Sequence, residues 1–248
     1  IFPMQLPLYF FGDTHFKSSQ SNQEKAKVEK FSNFLNSITT KTTKGSLFIM
    51  GDFFDYYFEY ANQQRSEFDE IFSKIEKMKD GGFEIYFIAG NHDYWIGNYF
   101  KKYTNKTFLD DTTVNHKNTS IYVTHGDGIL SWDTSYRLLK KVLRSNIFIT
   151  TYSLLPKSIA NKIAEKISYE RKDSHKIDLD KLNRIHDELE GFAKEKIAEG
   201  HNYVIMGHYH HSYHKILDGG ELILLGECNE NDYNYAIFDG NKLEIKHF

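Results

Sequence analysis

Short apolar runs alternate with stretches that repeat every three or four residues along the first part of the chain. That alternation predicts strands and helices in turn. Leu8-Tyr9-Phe10-Phe11 reads as a central strand ending at Gly12. From Asn22 to Ile38, apolar Val28, Phe31, Phe34, Leu35 and Ile38 share one helical face. Ser46 to Met50 is a second strand, and Gln63 to Lys79 a second helix carrying Phe68, Ile71, Phe72, Ile75 and Met78. Asp80-Gly81-Gly82 stops that helix before a third strand, Glu84 to Ala89. This β-α-β-α-β rhythm predicts right-handed crossovers and mostly parallel pairing.

The rhythm changes after Asp110-Asp111. Thr113 to His116 and Ser120 to Thr124 read as a hairpin with Asn118 and Thr119 at its tip. Asp133 to Glu199 is helical in pattern, broken at Pro156 and ended by Gly200, with one stripe at Ile159, Ile163 and Ile167 and another at Leu182, Ile185, Leu189 and Phe192. Strands return at Tyr203 to Met206, Tyr213 to Leu217, Glu221 to Leu225, Tyr233 to Phe238 and Lys242 to Lys246, with Asp218-Gly219-Gly220 and Asp239-Gly240-Asn241 as hairpin turns. The expected organisation is a single α/β domain over residues 1–248, with a helical cap inserted at about 130–200.

Composition supplies the core: 40% of the 248 residues are hydrophobic, with 20 Phe and 17 Tyr. The net charge of −3 argues against a polyanion binder, and no long basic stripe suggests a nucleic-acid partner. Charge is uneven, however. Asp133 to Lys176 holds ten Lys/Arg against four Asp/Glu. This basic segment reads either as a solvated helical face or as a rim that attracts an anionic nucleotide or membrane surface. The apolar Leu138, Leu139, Val142, Leu143, Ile147, Phe148 and Ile149 either pack the cap on the body or line an acyl-chain groove. A single cysteine, Cys228, excludes an internal disulfide framework and a cysteine-based zinc site, and suits a reducing compartment. Ile1 to Phe11 lacks the basic segment of a signal peptide, and no window is apolar enough to span a membrane. The expected location is cytoplasmic, with peripheral contact to the inner membrane through the cap. No obligate protein partner is evident.

Five short blocks follow predicted strands: Asp13-Thr14-His15, Gly51-Asp52-Phe53-Phe54-Asp55, Gly90-Asn91-His92-Asp93, His125-Gly126-Asp127 and Gly207-His208-Tyr209-His210. Open α/β sheets place their sites beyond the carboxyl ends of strands. The blocks offer Asp13, His15, Asp52, Asn91, His125, His208 and His210 as ligands, the inventory for two divalent cations sharing a carboxylate. Carboxylate, imidazole and amide oxygen without thiolate suit Mn²⁺ first, with Fe or Zn²⁺ as alternatives. Two cations against two carboxylates leave about +2, which favours a phosphoryl anion and a hydroxide and hence phosphate ester or anhydride hydrolysis. His92 is placed to donate to a phosphoryl oxygen or to protonate the leaving group. Asp55 and Asp93 read as acceptors that orient imidazole N–H groups.

Any one block alone is commonplace; the ordered set is not. It resembles the calcineurin-like metallophosphoesterase superfamily from Asp13 to His210. The resemblance implies a β-sandwich of two mixed sheets flanked by helices. It implies one metal on Asp13, His15, Asp52 and His210, and another on Asp52, Asn91, His125 and His208. A narrower resemblance rests on Gly51 to Tyr56, on His125-Gly126-Asp127 followed by Asp133 and Tyr136, and on the helical insert before Gly207. Those features are similar to the UDP-2,3-diacylglucosamine pyrophosphohydrolases of lipid A synthesis, in which the insert grips acyl chains. Asp133 and Tyr136 then match positions around the substrate's sugar and diphosphate, and Ser168 to Lys176 offers candidates for polar cap contacts. The chain departs at His92, where the best-known branch has Arg and the wider superfamily has His.

The leading expectation is therefore a two-metal hydrolase that splits UDP-2,3-diacylglucosamine into UMP and 2,3-diacylglucosamine 1-phosphate. The alternatives are a phosphodiesterase, nucleotidase or protein phosphatase on the same site, or a metal-binding scaffold without catalysis. Plainer roles are expected elsewhere: His211 and His214 at the surface or behind the ligands, His116, His175, His186, His201 and His247 solvated, and Cys228 in the core. The aromatic run Phe53 to Phe58 reads as core or as a substrate-facing wall.

Overall fold

The computed structural model of the protein describes residues 4–60, 65–156, 159 and 179–248. Strand β1 (Leu8–Phe11), helix α1 (Asn22–Thr39), strand β2 (Gly45–Ile49), helix α2 (Asp69–Asp80) and strand β3 (Phe83–Ile88) follow in the predicted order. β1, β2 and β3 pair in parallel. The second helix starts later than its periodicity suggests. Ser66–Phe68 forms a tighter 3-10 turn, and α2 proper opens with Asp69 and Glu70 at its positive end. Two short elements carry no periodic signal: helix α3 (Asn98–Lys101) and strand β4 (Lys106–Phe108), which pairs parallel with β3.

Strands β5 (Thr112–His116) and β6 (Thr119–Thr124) form the expected hairpin. Its tip is Lys117-Asn118 rather than Asn118-Thr119, and Lys117 takes the left-handed conformation (φ 51°) that so tight a connection needs. Helices α4 (Thr134–Leu143), α5 (Asn146–Ser153) and α6 (Leu179–Ala198) precede β7 (Tyr203–Met206), which pairs parallel with β6. The hairpin β8 (Tyr213–Leu217) and β9 (Gly220–Leu224) follows, then the hairpin β10 (Asn234–Phe238) and β11 (Leu243–His247).

The strands form two mixed sheets, in the orders β11-β10-β1-β2-β3-β4 and β5-β6-β7-β9-β8. Strict two-residue alternation makes them a sandwich. Phe10, Phe48 and Ile88 face Val123, Ile205 and Ile223 between the sheets. Their neighbours Phe11, Ile49 and Phe87 face α1 and α2 with Phe31, Phe34 and Phe72. On the far side, Val204, Met206, Leu222 and Leu224 meet Ile185, Leu189 and Ala193 of α6. α6 is thus the crossover helix between parallel β6 and β7. Each large apolar side chain buried here contributes about 1.5–3 kcal/mol, so the four layers are rigid enough to hold loops in place.

The aromatic run settles mostly as core: Phe53, Phe54, Tyr57 and Phe58 are buried, and only Tyr56 is half-exposed. Phe58 and Tyr60 pack on Tyr152 of α5, joined by Trp95 and Phe148. The apolar cap residues divide: Phe148 and Ile149 dock on that cluster, while Leu138, Val142 and Ile147 are exposed. Ile163 and Ile167, His175 and the segment Ser168 to Lys176 lie outside the described residues. Among those described, no helix is long and apolar enough to cross a membrane.

Candidate metal centre

The carboxyl ends of β1, β2, β3, β6 and β7 lie at one edge of the sandwich, and the five blocks follow them. The structure brings all seven predicted ligands together. Asp13 Oδ2 lies 3.2 Å from His210 Nε2, and His15 Nε2 lies 3.1 Å from the same atom. Asp52 Oδ2 lies 3.3 Å from His125 Nε2 and 3.9 Å from His15 Nε2, so this carboxylate stands between two groups. Asn91 Oδ1 is 3.3 Å from His125 Nε2. Three clusters could each hold an ion: Asp13 with His15 and His210, Asp52 with His125 and His208, and His15 with Asp52 and His92.

Backbone strain marks the same residues. Among the described residues, five non-glycine positions have positive φ, and four are His15 (47°), Asp52 (48°), His208 (71°) and His210 (58°). Such conformations persist only where the surroundings over-determine them, and they gather at functional sites. The surroundings do so here. Asp52 O accepts from Thr14 N and His15 N (3.1 and 2.9 Å), and Asp13 Oδ2 accepts from His208 N (2.9 Å). Lys27, buried at 7% exposure, donates to His15 O (2.9 Å). Gly90 permits the closest approach: a Cβ there would collide with Asp52 Oδ1 and Asp52 N.

The two predicted supporting carboxylates work differently. Asp55 Oδ1 stands 4.0 Å from His15 Nδ1, near that ring but too far for a hydrogen bond to it. Asp93 instead accepts backbone N–H groups, from Gly90 (2.8 Å), Phe53 (2.7 Å), Asp52 (3.2 Å) and Phe54 (3.3 Å). It staples the second block to the third. Burial and the Asp52 charge push its carboxyl up to about 7. No imidazole is among these partners, because Asp93 points away from the rings and under the loop.

Ring nitrogens are aimed by carbonyls. His125 Nδ1–H donates to Met50 O (2.8 Å), which turns Nε2 toward Asp52 and Asn91. His92 Nδ1–H donates to Asp55 O (2.6 Å), leaving Nε2 4.0 Å from Asp52 Oδ2. A carbonyl only accepts, so Nδ1 carries a proton in both rings. Burial alone would lower His125 and His210. The Asp52 carboxylate carries His125 up to about 10, and the Asp13 hydrogen bond carries His210 up to about 9. Burial holds His15 at about 3 and His208 at about 4. Burial would raise Asp13 and Asp52, but the histidines hold both below the usual carboxylate range. Two imidazolium charges thus balance two carboxylates, where two divalent ions would do so more strongly. Donor types, strain and ring orientation all fit such ions.

Tyr136 reaches the centre, its ring stacked 6.1 Å from that of His208. Asp133 caps α4, accepting from Tyr136 N (3.2 Å). One residue that the sequence reading left without a role joins them. Asp127 accepts from Tyr136 OH (2.9 Å) and pairs with Lys140 Nζ (2.9 Å) and Arg144 Nη2 (3.2 Å). The signal was present: Tyr136, Lys140 and Arg144 recur every four residues on one helical face. His211 stands outside the ligand groups, its Nε2 2.8 Å from His186 Nε2, so those two histidines pair rather than stand in solvent.

The model of the calcineurin-like phosphoesterase family matches residues 6–235. The UDP-2,3-diacylglucosamine hydrolase of Porphyromonas gingivalis is 28% identical over 260 residues, covering 98% of both chains. That of Haemophilus influenzae strain PittGG is 28% identical over 90% of this chain and 91% of its own, and that of Neisseria meningitidis serogroup B is 26% identical over 92% and 91%. A solved archaeal phosphodiesterase superimposes with a TM-score of 0.47 at 14% identity, covering 98% of this chain and 99% of its own.

Proposed function

The chain belongs to the calcineurin-like phosphoesterase family, and from that premise we propose that it cleaves the pyrophosphate of UDP-2,3-diacylglucosamine. It is a metal-dependent hydrolase of phosphoester or pyrophosphate bonds. The observation that carries the finer reading is the pair of ligand clusters around Asp52, with α4 fastened beside them by Asp127. Relatives of that name over nearly the whole chain support the substrate.

In this reading Asp13, His15, Asp52 and His210 hold one ion, and Asp52, Asn91, His125 and His208 the other. When bound, two such ions, Mn²⁺ by preference, supply Lewis acidity and a hydroxide near neutral pH. His92, with Nδ1–H fixed on Asp55 O, presents Nε2 to the reacting oxygens, where it delivers a proton to the departing one. Water adds across the P–O–P bridge: its oxygen joins one phosphorus, and the bridging oxygen leaves with the proton on UMP or on the sugar phosphate. Tyr136 flanks the sugar, and the α4 N-terminus at Asp133 lies next to it. α4 and α5 form the cap. Leu138, Val142, Ile147 and Leu154 are exposed on it, which favours contact with a membrane surface on the cytoplasmic face, where a lipid substrate resides.

Purified protein with Mn²⁺ is expected to convert UDP-2,3-diacylglucosamine to UMP and 2,3-diacylglucosamine 1-phosphate, read by mass spectrometry. An intact lipid alongside rapid turnover of bis-p-nitrophenyl phosphate would reject this substrate and keep the reaction class.

A further inference from the structure

Beside His125 the surface opens into a cavity of about 510 Å³, large enough for a nucleotide. Its two walls differ in charge. One is the α4 face carrying Arg137, Lys140, Lys141 and Arg144; the other carries Asp110 and Asp111 from the β4–β5 connection. Asp127 already engages Lys140 and Arg144, so they form the rigid floor of the cationic wall. Arg137 and Lys141, four residues apart, are exposed and line the same space. Across from them Asp111 is fixed by the Tyr122 hydroxyl, which donates to its Oδ2 (2.7 Å).

This lining selects chemistry. An acyl chain would strip water from several charged groups without replacing it, which is prohibitive. A molecule with two anionic ends would meet repulsion at Asp110 and Asp111. A phosphate at one end and neighbouring hydroxyl donors at the other match both walls. The opposite face of α4 is suited to the other half of a lipid substrate, since Leu138 and Val142 are 66% and 49% exposed there. α4 therefore separates a polar cavity from an apolar face.

We propose that this cavity holds the ribonucleoside monophosphate half of the substrate, with Arg137 and Lys141 toward its phosphate and Asp110 and Asp111 toward its ribose diol. The proposal rests on the reading that the substrate is a nucleotide-diphosphate lipid, and it assigns the nucleotide to a place that the ligand blocks do not specify.

Calorimetric binding to the Mn²⁺-loaded full chain tests it, with UMP, 2′,3′-dideoxy-UMP and inorganic phosphate as probes. Wild type is expected to bind UMP about tenfold or more tighter than phosphate. R137A/K141A should weaken UMP about tenfold, the scale of lost charge-assisted hydrogen bonds. D110N/D111N should weaken UMP while leaving the dideoxy analogue within about twofold, a ratio that a merely structural change would not move. Thermal melts on both variants establish that these surface changes leave the fold intact. UMP binding no tighter than phosphate, or unchanged in both variants, overturns the assignment. UMP binding as expected without turnover of UDP-2,3-diacylglucosamine would reject the lipid substrate and keep the cavity. Turnover with UMP binding insensitive to both variants would do the reverse.

Discussion

Replacing Asp127 by Asn preserves shape and removes the charge that fastens α4 to the centre. Asp127 is 8% exposed. Burial alone would raise its carboxyl, but His125, Arg144 and Lys140 hold it at about 2, against an ordinary value of 3.8. At about 1.4 kcal/mol per pH unit, that difference corresponds to roughly 2.5 kcal/mol favouring the folded chain near neutral pH. Lys140 and Arg144 keep 25% and 16% of their side chains exposed, so solvent screening trims the figure to about 2 kcal/mol. The folded value lies below the unfolded one. The stabilisation is therefore complete above about pH 4 and lost as pH falls through about 2. Urea unfolding of the chelator-treated protein should show D127N weaker by about 2 kcal/mol near pH 7, with a deficit that shrinks below about pH 4. A deficit under about 0.5 kcal/mol, or one independent of pH, would refute the charge argument and reduce Asp127 to a packing residue.

Asp52→Ala removes the carboxylate between the two clusters. Bound metal, counted by elemental mass spectrometry, should drop from two ions to one or none, and phosphoesterase activity should be lost, as also in His125→Ala; full activity in either would reject the assigned centre. Metal binding at about pH 7 should release about two protons, because His125 and His210 sit at about 10 and about 9 while His15 and His208 are already neutral. Calorimetry in buffers of different ionisation enthalpy reads that number, and zero release would contradict the charge pattern. Since the protons compete with the ions, metal affinity should fall as pH falls. Gly90→Ala forces a Cβ into Asp52 and should cost about 1–3 kcal/mol of stability together with metal affinity; a variant as stable and as well loaded as wild type would show that the loop can give. His92→Asn should keep both ions yet lower turnover about a hundredfold or more, and an unchanged rate would remove His92 from the proton transfer.

Legibility in the sequence followed the strength of the periodic signal. β1, β2 and β3 were placed to within a residue, because central strands covered on both faces read as unbroken apolar runs. β4 was invisible: it has three residues, none fully buried, and pairs only because β3 offers an open edge. The stripe at Leu182 to Phe192 was legible as helical but not as the crossover on the second sheet, since an apolar stripe names no partner. Ligand types were legible because metal chemistry restricts them. Asp93 was recognised as support, but its target could not be, for backbone N–H groups leave no trace in residue identity. Asp127 escaped for the opposite reason: its partners Tyr136, Lys140 and Arg144 looked like an ordinary solvated helical face.

The strain at the centre explains why so much of the protein is committed to it. Four candidate ligands in the left-handed region cost about 1–2 kcal/mol each, so their sum is comparable with the net stability of a typical domain. That cost is offset by contacts that do no chemistry. Asp93 gathers four backbone N–H groups, Lys27 holds His15 O, His208 N holds Asp13, and Cys228 N donates to Asp13 O (2.7 Å). Each ties a ligand loop to another loop or to a helix of the body, so no one loop can relax unless the others move. Asp127 extends the logic one step outward. It follows His125 by two residues, across Gly126 at φ 102°, and the same short segment therefore points a ring inward and a carboxylate toward α4. Displacement of α4 must pull on the His125 loop, and an empty His125 position must loosen α4. Helix α4 and the His125 ring thus hang on one short turn, so any substitution along α4 has to leave the Asp127 contacts in place to keep that ring where it is.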